Sequence, residues 1–141
     1  MAKLKSLKPL AVIFFAGGLY DAFGGFYYSF MVGTGRSVDN PSTHPFYAMF
    51  IASFLFCFAY LELLSAFNIR RYLLNVGAVI IGRILYFVLL YAYMLFVTDF
   101  PNTFWATGII DLLWSALYIV LTLITDEIRV RDLFFPYREA R

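Results

Sequence analysis

Asp21, Glu62, Arg83 and Asp111 are ionisable residues set inside apolar stretches long enough to cross a bilayer. Each costs about 2.5–3.5 kcal/mol at a helix centre, so such groups persist where they meet one another or a bound species. The chemistry open to them is limited. A guanidinium stays charged and can bond two carboxylates at once, which makes an Asp21–Arg83–Asp111 network self-consistent. Two acids against one base leave a surplus negative charge in low dielectric, favouring a protonated acid, a bound cation or a proton-coupled change. Two readings follow. Either the network fixes helix order and register, or it handles a ligand or protons. Asp111 or Glu62 could also serve as a general base. No nucleophile–base pair, metal-ligand cluster or phosphate loop accompanies them, so no catalytic residue, metal or cofactor is assigned.

The elements that must carry these groups are helical. At 100° per residue, Gly17, Gly18, Asp21, Gly24, Gly25 and Tyr28 share one face of the first apolar segment, and its glycines permit close approach of a neighbouring helix. Val79, Arg83, Tyr86, Leu90 and Tyr93 share a face of the third. Thr107, Asp111, Ser115, Tyr118, Thr122 and Thr125 form a polar stripe along the fourth. Rising about 1.5 Å per residue, Asp21 and Arg83 reach similar depth and Asp111 lies about a turn further out. Tyr86, Ser115 and Tyr118 thereby join the candidate network or ligand site. Glu62 lies near the end of the second segment, close in sequence to Arg70 and Arg71, and the expectation there is an interfacial ion pair, with a second polar site as the alternative.

Composition sets the class. The 141 residues are 62% apolar and 14% charged, with 17 Phe and 11 Tyr, against roughly 45–50% and about 25% in soluble domains. Four spans of about 20 residues are predicted: 10–31, 46–67, 73–97 and 104–125, followed by an interfacial tail over 126–141. They form a single domain over 1–141. Span one holds nine Leu, Ile, Val or Phe residues and Asp21; span three holds fifteen and tolerates Arg83 more easily. Lys3, Lys5, Lys8, Arg70, Arg71, Arg129, Arg131, Arg138 and Arg141 all fall on one side if the spans alternate, and only Arg36 falls opposite. The positive-inside rule then puts both termini in the cytoplasm. The formal charge of +2 reflects this topology, and no nucleic-acid partner is expected.

Short loops imply antiparallel neighbours and hence an all-α, membrane-embedded up-down four-helix bundle. The 33–45 connection is rich in turn residues, and Asp99-Phe100-Pro101-Asn102 reads as a helix-to-helix turn. Asn40-Pro41-Ser42 is excluded as a glycosylation acceptor by its proline, and His44 reads as a helix-entry residue. The lone Cys57 reads as a small apolar filler. Tyr27, Tyr47, Tyr91 and Trp105 fit an interfacial aromatic belt, whereas Trp114 is expected to pack on a neighbouring helix. The basic start followed by a full-length apolar run reads as a retained helix. Arg with Leu133, Phe134, Phe135 and Tyr137 suits a tail lying on anionic lipid, a solvated tail being the alternative.

The order of the glycine-rich first span with Tyr20-Asp21, then Leu61-Glu62-Leu63, Gly82-Arg83 and Ile110-Asp111-Leu112-Leu113, resembles the small four-helix membrane proteins of the DoxX-like group. The resemblance covers the whole chain in outline. It implies a multi-pass protein of a prokaryotic cytoplasmic or inner membrane, and some members resemble quinone-linked oxidoreductase subunits. The leading expectation is a non-catalytic accessory or scaffold subunit whose partners are lipids and other membrane subunits or further copies of the chain. The alternative is a binder or carrier of a small amphipathic molecule (a quinone, lipid or weak acid) whose head meets Arg83, with proton coupling.

Overall fold

A computed structural model describes residues 6–34, 45–97 and 104–135. Among these residues the fold is all-helical. Helix α1 runs Lys8–Tyr27 and continues as a π-helical turn over Tyr28–Val32; α2 runs Pro45–Phe67, α3 Leu73–Phe96 and α4 Trp105–Ile124. A 3₁₀ turn at Val130–Leu133 closes the described chain. Pro9 lies in the first turn of α1, where its missing N–H costs nothing. All four helices are long and apolar enough to cross a membrane, and much of their outward surface is large apolar side chains, from Phe23 and Phe67 to Leu95 and Phe96. Such an exterior is compatible with a membrane helical bundle.

Small residues decide where the helices touch. Gly17, Gly18 and Gly25 of α1 are buried, and so are Ala48, Ala52, Ala59 and Ser65 of α2. An added Cβ at Gly18 would lie 2.7 Å from the Leu63 side chain and 3.1 Å from the Ala59 carbonyl oxygen; at Gly25 it would lie 2.8 Å from the Phe56 ring. Neither position accepts alanine without movement, so the glycines set the α1–α2 distance. Helix α3 packs on α4 through Gly108, whose Cβ position is taken up by Leu90 and Tyr91. The α1–α2 pair meets the α3–α4 pair less extensively. A core of Leu10, Phe14, Val76, Val79, Ile80 and Tyr118 fills the end of the bundle where α1 begins and α4 ends.

In the chain after α4, Arg129, Arg131, Phe134 and Phe135 are exposed while two apolar residues turn inward. Ile128 and Leu133 are buried and belong to that same core, and the Leu133 carbonyl occupies the space where Gly77 of α3 lacks a Cβ. Two apolar side chains find more burial under the bundle than at an interface, and Gly77 makes room for them. Arg70 pairs there with Glu127. Cys57 is exposed, so it fills no core position. The predicted turns at 35–44 (with Arg36 and His44) and 98–103, and the end of the tail at 136–141, lie outside the described residues.

Candidate functional site

Each helix sends one charged side chain to a common point midway along the bundle. From α3, the Arg83 guanidinium donates through Nη2 to Asp21 Oδ2 of α1 at 2.7 Å and to Glu62 Oε1 of α2 at 2.9 Å. Its Nε donates to the same Glu62 oxygen at 3.2 Å, and its Nη1 donates to Asp111 Oδ1 of α4. Arg83, Asp21 and Glu62 are 3%, 2% and 0% exposed. Only arginine has a planar fork wide enough to serve three acids at once. Three carboxylates against one guanidinium leave two more formal negative charges than positive ones when all are ionised.

Glu62 lies in this hub and makes no interfacial pair with Arg70 or Arg71; that expectation is corrected. The reason is the small-residue face of α2. Ala48, Ala52, Ala59 and Ser65 fall on the buried side together with Glu62, and Gly17 opposite leaves the room its carboxylate needs. An added Cβ on Gly17 would fall on the Tyr118 hydroxyl and 2.8 Å from Glu62 Oε2. Tyr118 Oη donates to Glu62 Oε1 at 2.9 Å, while its ring stacks on Phe14 and Trp114 with centroids 4.2 and 5.9 Å away. Those two rings flank the phenol whose hydroxyl meets Glu62. Oε1 thus accepts three hydrogen bonds, and Glu62 Oε2 is the one buried side-chain polar atom without a hydrogen-bond partner among the described residues.

Tyr86 and Ser115 stand outside the ionic hub. Ser115 Oγ donates to the Asp111 carbonyl one turn back, 2.9 Å away, and Thr122 does the same to Tyr118; the polar stripe of α4 is largely satisfied within its own helix. Tyr86 Oη is 2.9 Å from Thr107 Oγ1. Trp114 packs across to α1, its ring 6.2 Å from that of Tyr20.

Above the hub the two helix pairs separate. A cavity of about 820 Å³ lies between the second half of α1, the first half of α2, the second half of α3 and the start of α4. Asp21, Arg83 and Asp111 form its polar floor; Tyr28, Tyr86 and Thr107 add hydroxyls; the walls are Tyr20, Phe23, Phe50, Phe54, Phe58, Leu85 and Leu89. Its size is that of small-molecule sites, about 300–1,000 Å³. Phe23, Phe50, Phe54, Leu85 and Leu89 are each half or more exposed, so the cavity opens to whatever surrounds the bundle. No group of His, Cys, Asp and Glu suited to a metal ion occurs among the described residues. Helical periodicity in α1, α3 and α4 brings Asp21, Arg83 and Asp111 to one end of the cavity, with Tyr118 buried behind them on Glu62, and rotation alone gives no sign of the opening itself. Comparison with known proteins finds no matching family model, no similar curated protein and no similar solved structure.

Proposed function

We propose that this chain is an integral membrane protein that binds or carries a small amphipathic molecule, whose apolar body lies in the four-helix cavity and whose polar head sits on the Asp21–Arg83–Asp111 floor. The observation that carries the reading is a large apolar cavity ending on charged groups buried at mid-helix. A network that served only to lock four helices would be closed over by side chains on every side. The accessory or scaffold role, first in line from the sequence, accounts for the ion pairs but leaves the cavity without a purpose. No step of catalysis belongs to this reading.

An up-down arrangement with both termini cytoplasmic belongs to the same proposal. The pairing of Gly17 with Glu62 and of Gly25 with Phe56, and of Arg83 with Asp111 and Tyr86 with Thr107, supports oppositely running neighbours; the distribution of Lys and Arg supports the orientation. The cavity then occupies the extracytoplasmic half of the bilayer, and its exposed walls face acyl chains, so an amphipath enters from the lipid. The DoxX-like likeness remains a proposal resting on its short motifs, and the quinone it implies is one candidate occupant.

Ligand-dependent stability tests the proposal. A ligand that binds only the folded state adds about 2.7 kcal/mol at a hundred times its Kd. At least one amphipath from a panel with different heads should raise the unfolding midpoint of the purified chain. Leu89→Trp, which adds bulk at a half-exposed position of the cavity wall, should remove that shift while leaving the unliganded midpoint near the parent's. A panel without effect, or equal shifts in both proteins, overturns the reading.

A further inference from the structure

We infer that the occupant of the cavity is an amphipathic cation, an organic ammonium on an apolar body, and neither an anion nor a neutral ring compound. The inference rests on the ligand-binding reading above and narrows it to one head-group chemistry. Three independent features of the site lead to it.

The first is what the floor offers. Arginine has five N–H donors, and four of those on Arg83 are already directed at carboxylate oxygens. The guanidinium is almost wholly buried behind its acids and is poorly placed to receive an anionic head. Asp21 and Asp111 each spend one oxygen on Arg83. The Arg83 fork ends on Asp21 Oδ2 and Asp111 Oδ1, leaving the second oxygen of each acid outside it. Both residues line the cavity; Asp21 is 2% exposed and the Asp111 side chain 18%. The head group therefore meets acceptors.

The second feature is charge. Three carboxylates meet one guanidinium, and among the described residues no Lys and no second Arg lines the cavity. A carboxylate or phosphate head would bring another negative charge against Asp21 and Asp111 in low dielectric, where like charges repel most strongly. An ammonium reduces the surplus. The third feature is the wall. Tyr20, Tyr28, Phe50, Phe54 and Tyr86 surround the space above the acids, and aromatic faces attract a cation within about 6 Å by their quadrupole while accepting an alkyl body equally well.

The experiment compares matched probes on the full chain in nanodiscs of zwitterionic lipid, with empty nanodiscs to subtract partitioning. Decylammonium, decanol, decanoate and a decyl-substituted quinone share one chain length and differ in head. The ammonium should bind at least tenfold more tightly than the alcohol and the quinone, and decanoate more weakly than either. Asp111→Asn should lower ammonium affinity about tenfold and so narrow the gap between the ammonium and decanol. The ranking on the unaltered protein needs no variant, so it decides the matter even if Asp111→Asn fails to fold. Binding of decanol, the quinone or decanoate as tightly as the ammonium overturns the inference and leaves the amphipath-binding function standing. Binding of none of the four overturns both.

Discussion

Replacing Arg83 by Gln removes the group that joins four helices. The side chain is close to isosteric along its stem but carries no charge and cannot fork to three acids. Four hydrogen bonds end on Asp21, Glu62 and Asp111. Interhelical hydrogen bonds in membrane proteins average about 0.6 kcal/mol, so their loss alone costs about 2.4 kcal/mol. The variant also leaves three carboxylates with no counter-charge, and breaking a buried pair in this way costs about 3–5 kcal/mol in total. At 1.36 kcal/mol per decade, that is roughly two to four orders of magnitude in the folding equilibrium constant. Equilibrium unfolding in mixed micelles, followed by circular dichroism and extrapolated to zero denaturant, measures it. Adding Asp111→Asn removes one of the stranded charges, so the double variant should be less destabilised than the sum of the two single ones by about 0.5–3 kcal/mol. A loss below about 0.5 kcal/mol for Arg83→Gln, or strict additivity with Asp111→Asn, would show that the guanidinium does not bridge these acids.

Glu62→Gln keeps an oxygen where Oε1 accepts from Arg83 and Tyr118 and places its amide where Oε2 has no partner. It should cost less than about 1 kcal/mol, whereas Glu62→Ala should cost about 2 kcal/mol more, since it strands three donor groups on Arg83 and Tyr118; the same unfolding assay separates them. Gly17→Ala should destabilise by about 1–3 kcal/mol, because its methyl group falls on the Tyr118 hydroxyl. Tyr118→Phe in that background should recover part of the loss by vacating the clashing atom. Gly77→Ala drives a Cβ into the Leu133 carbonyl and should release the segment after α4, seen as faster tryptic cleavage at Arg129 and Arg131, both exposed, with the four-helix signal unchanged.

Hydropathy and periodicity made most of the architecture legible, since a bundle in apolar surroundings needs four long apolar runs and hides its polar groups on single faces. Asp21, Arg83, Asp111 and Tyr118 could be placed together from the rotation of their own helices. Glu62 could not, because it lies near the end of its segment close in sequence to Arg70 and Arg71, and its helical neighbours Leu55, Phe58, Ala59 and Ala66 mix large and small residues. The informative signal was the sparser series Ala48, Ala52, Ala59 and Ser65, small residues that let α2 lie against the α1 glycines and carry Glu62 inward with them. The docking of Leu133 depends on one glycine on another helix, Gly77, a relation no local pattern encodes. The cavity is less legible still. It lies beyond the points where Gly17 meets Tyr118 and Gly82 meets Phe58 across the two pairs, and sequence rotation alone does not express a distance between helix pairs. The π-helical turn at Tyr28–Val32 follows Gly24 and Gly25 on the cavity side of α1, and nothing in the residue types there announces it.

Photolabelling tests the central claim most directly. A diazirine-bearing alkylammonium is activated on the full chain in nanodiscs, and the modified residues are mapped by mass spectrometry with and without excess unlabelled ammonium. The cavity site predicts competable labels on Phe50, Phe54, Leu85 and Leu89. Labels spread over outward-facing residues such as Leu74, Leu95, Val120 and Leu123, and insensitive to competitor, would contradict it.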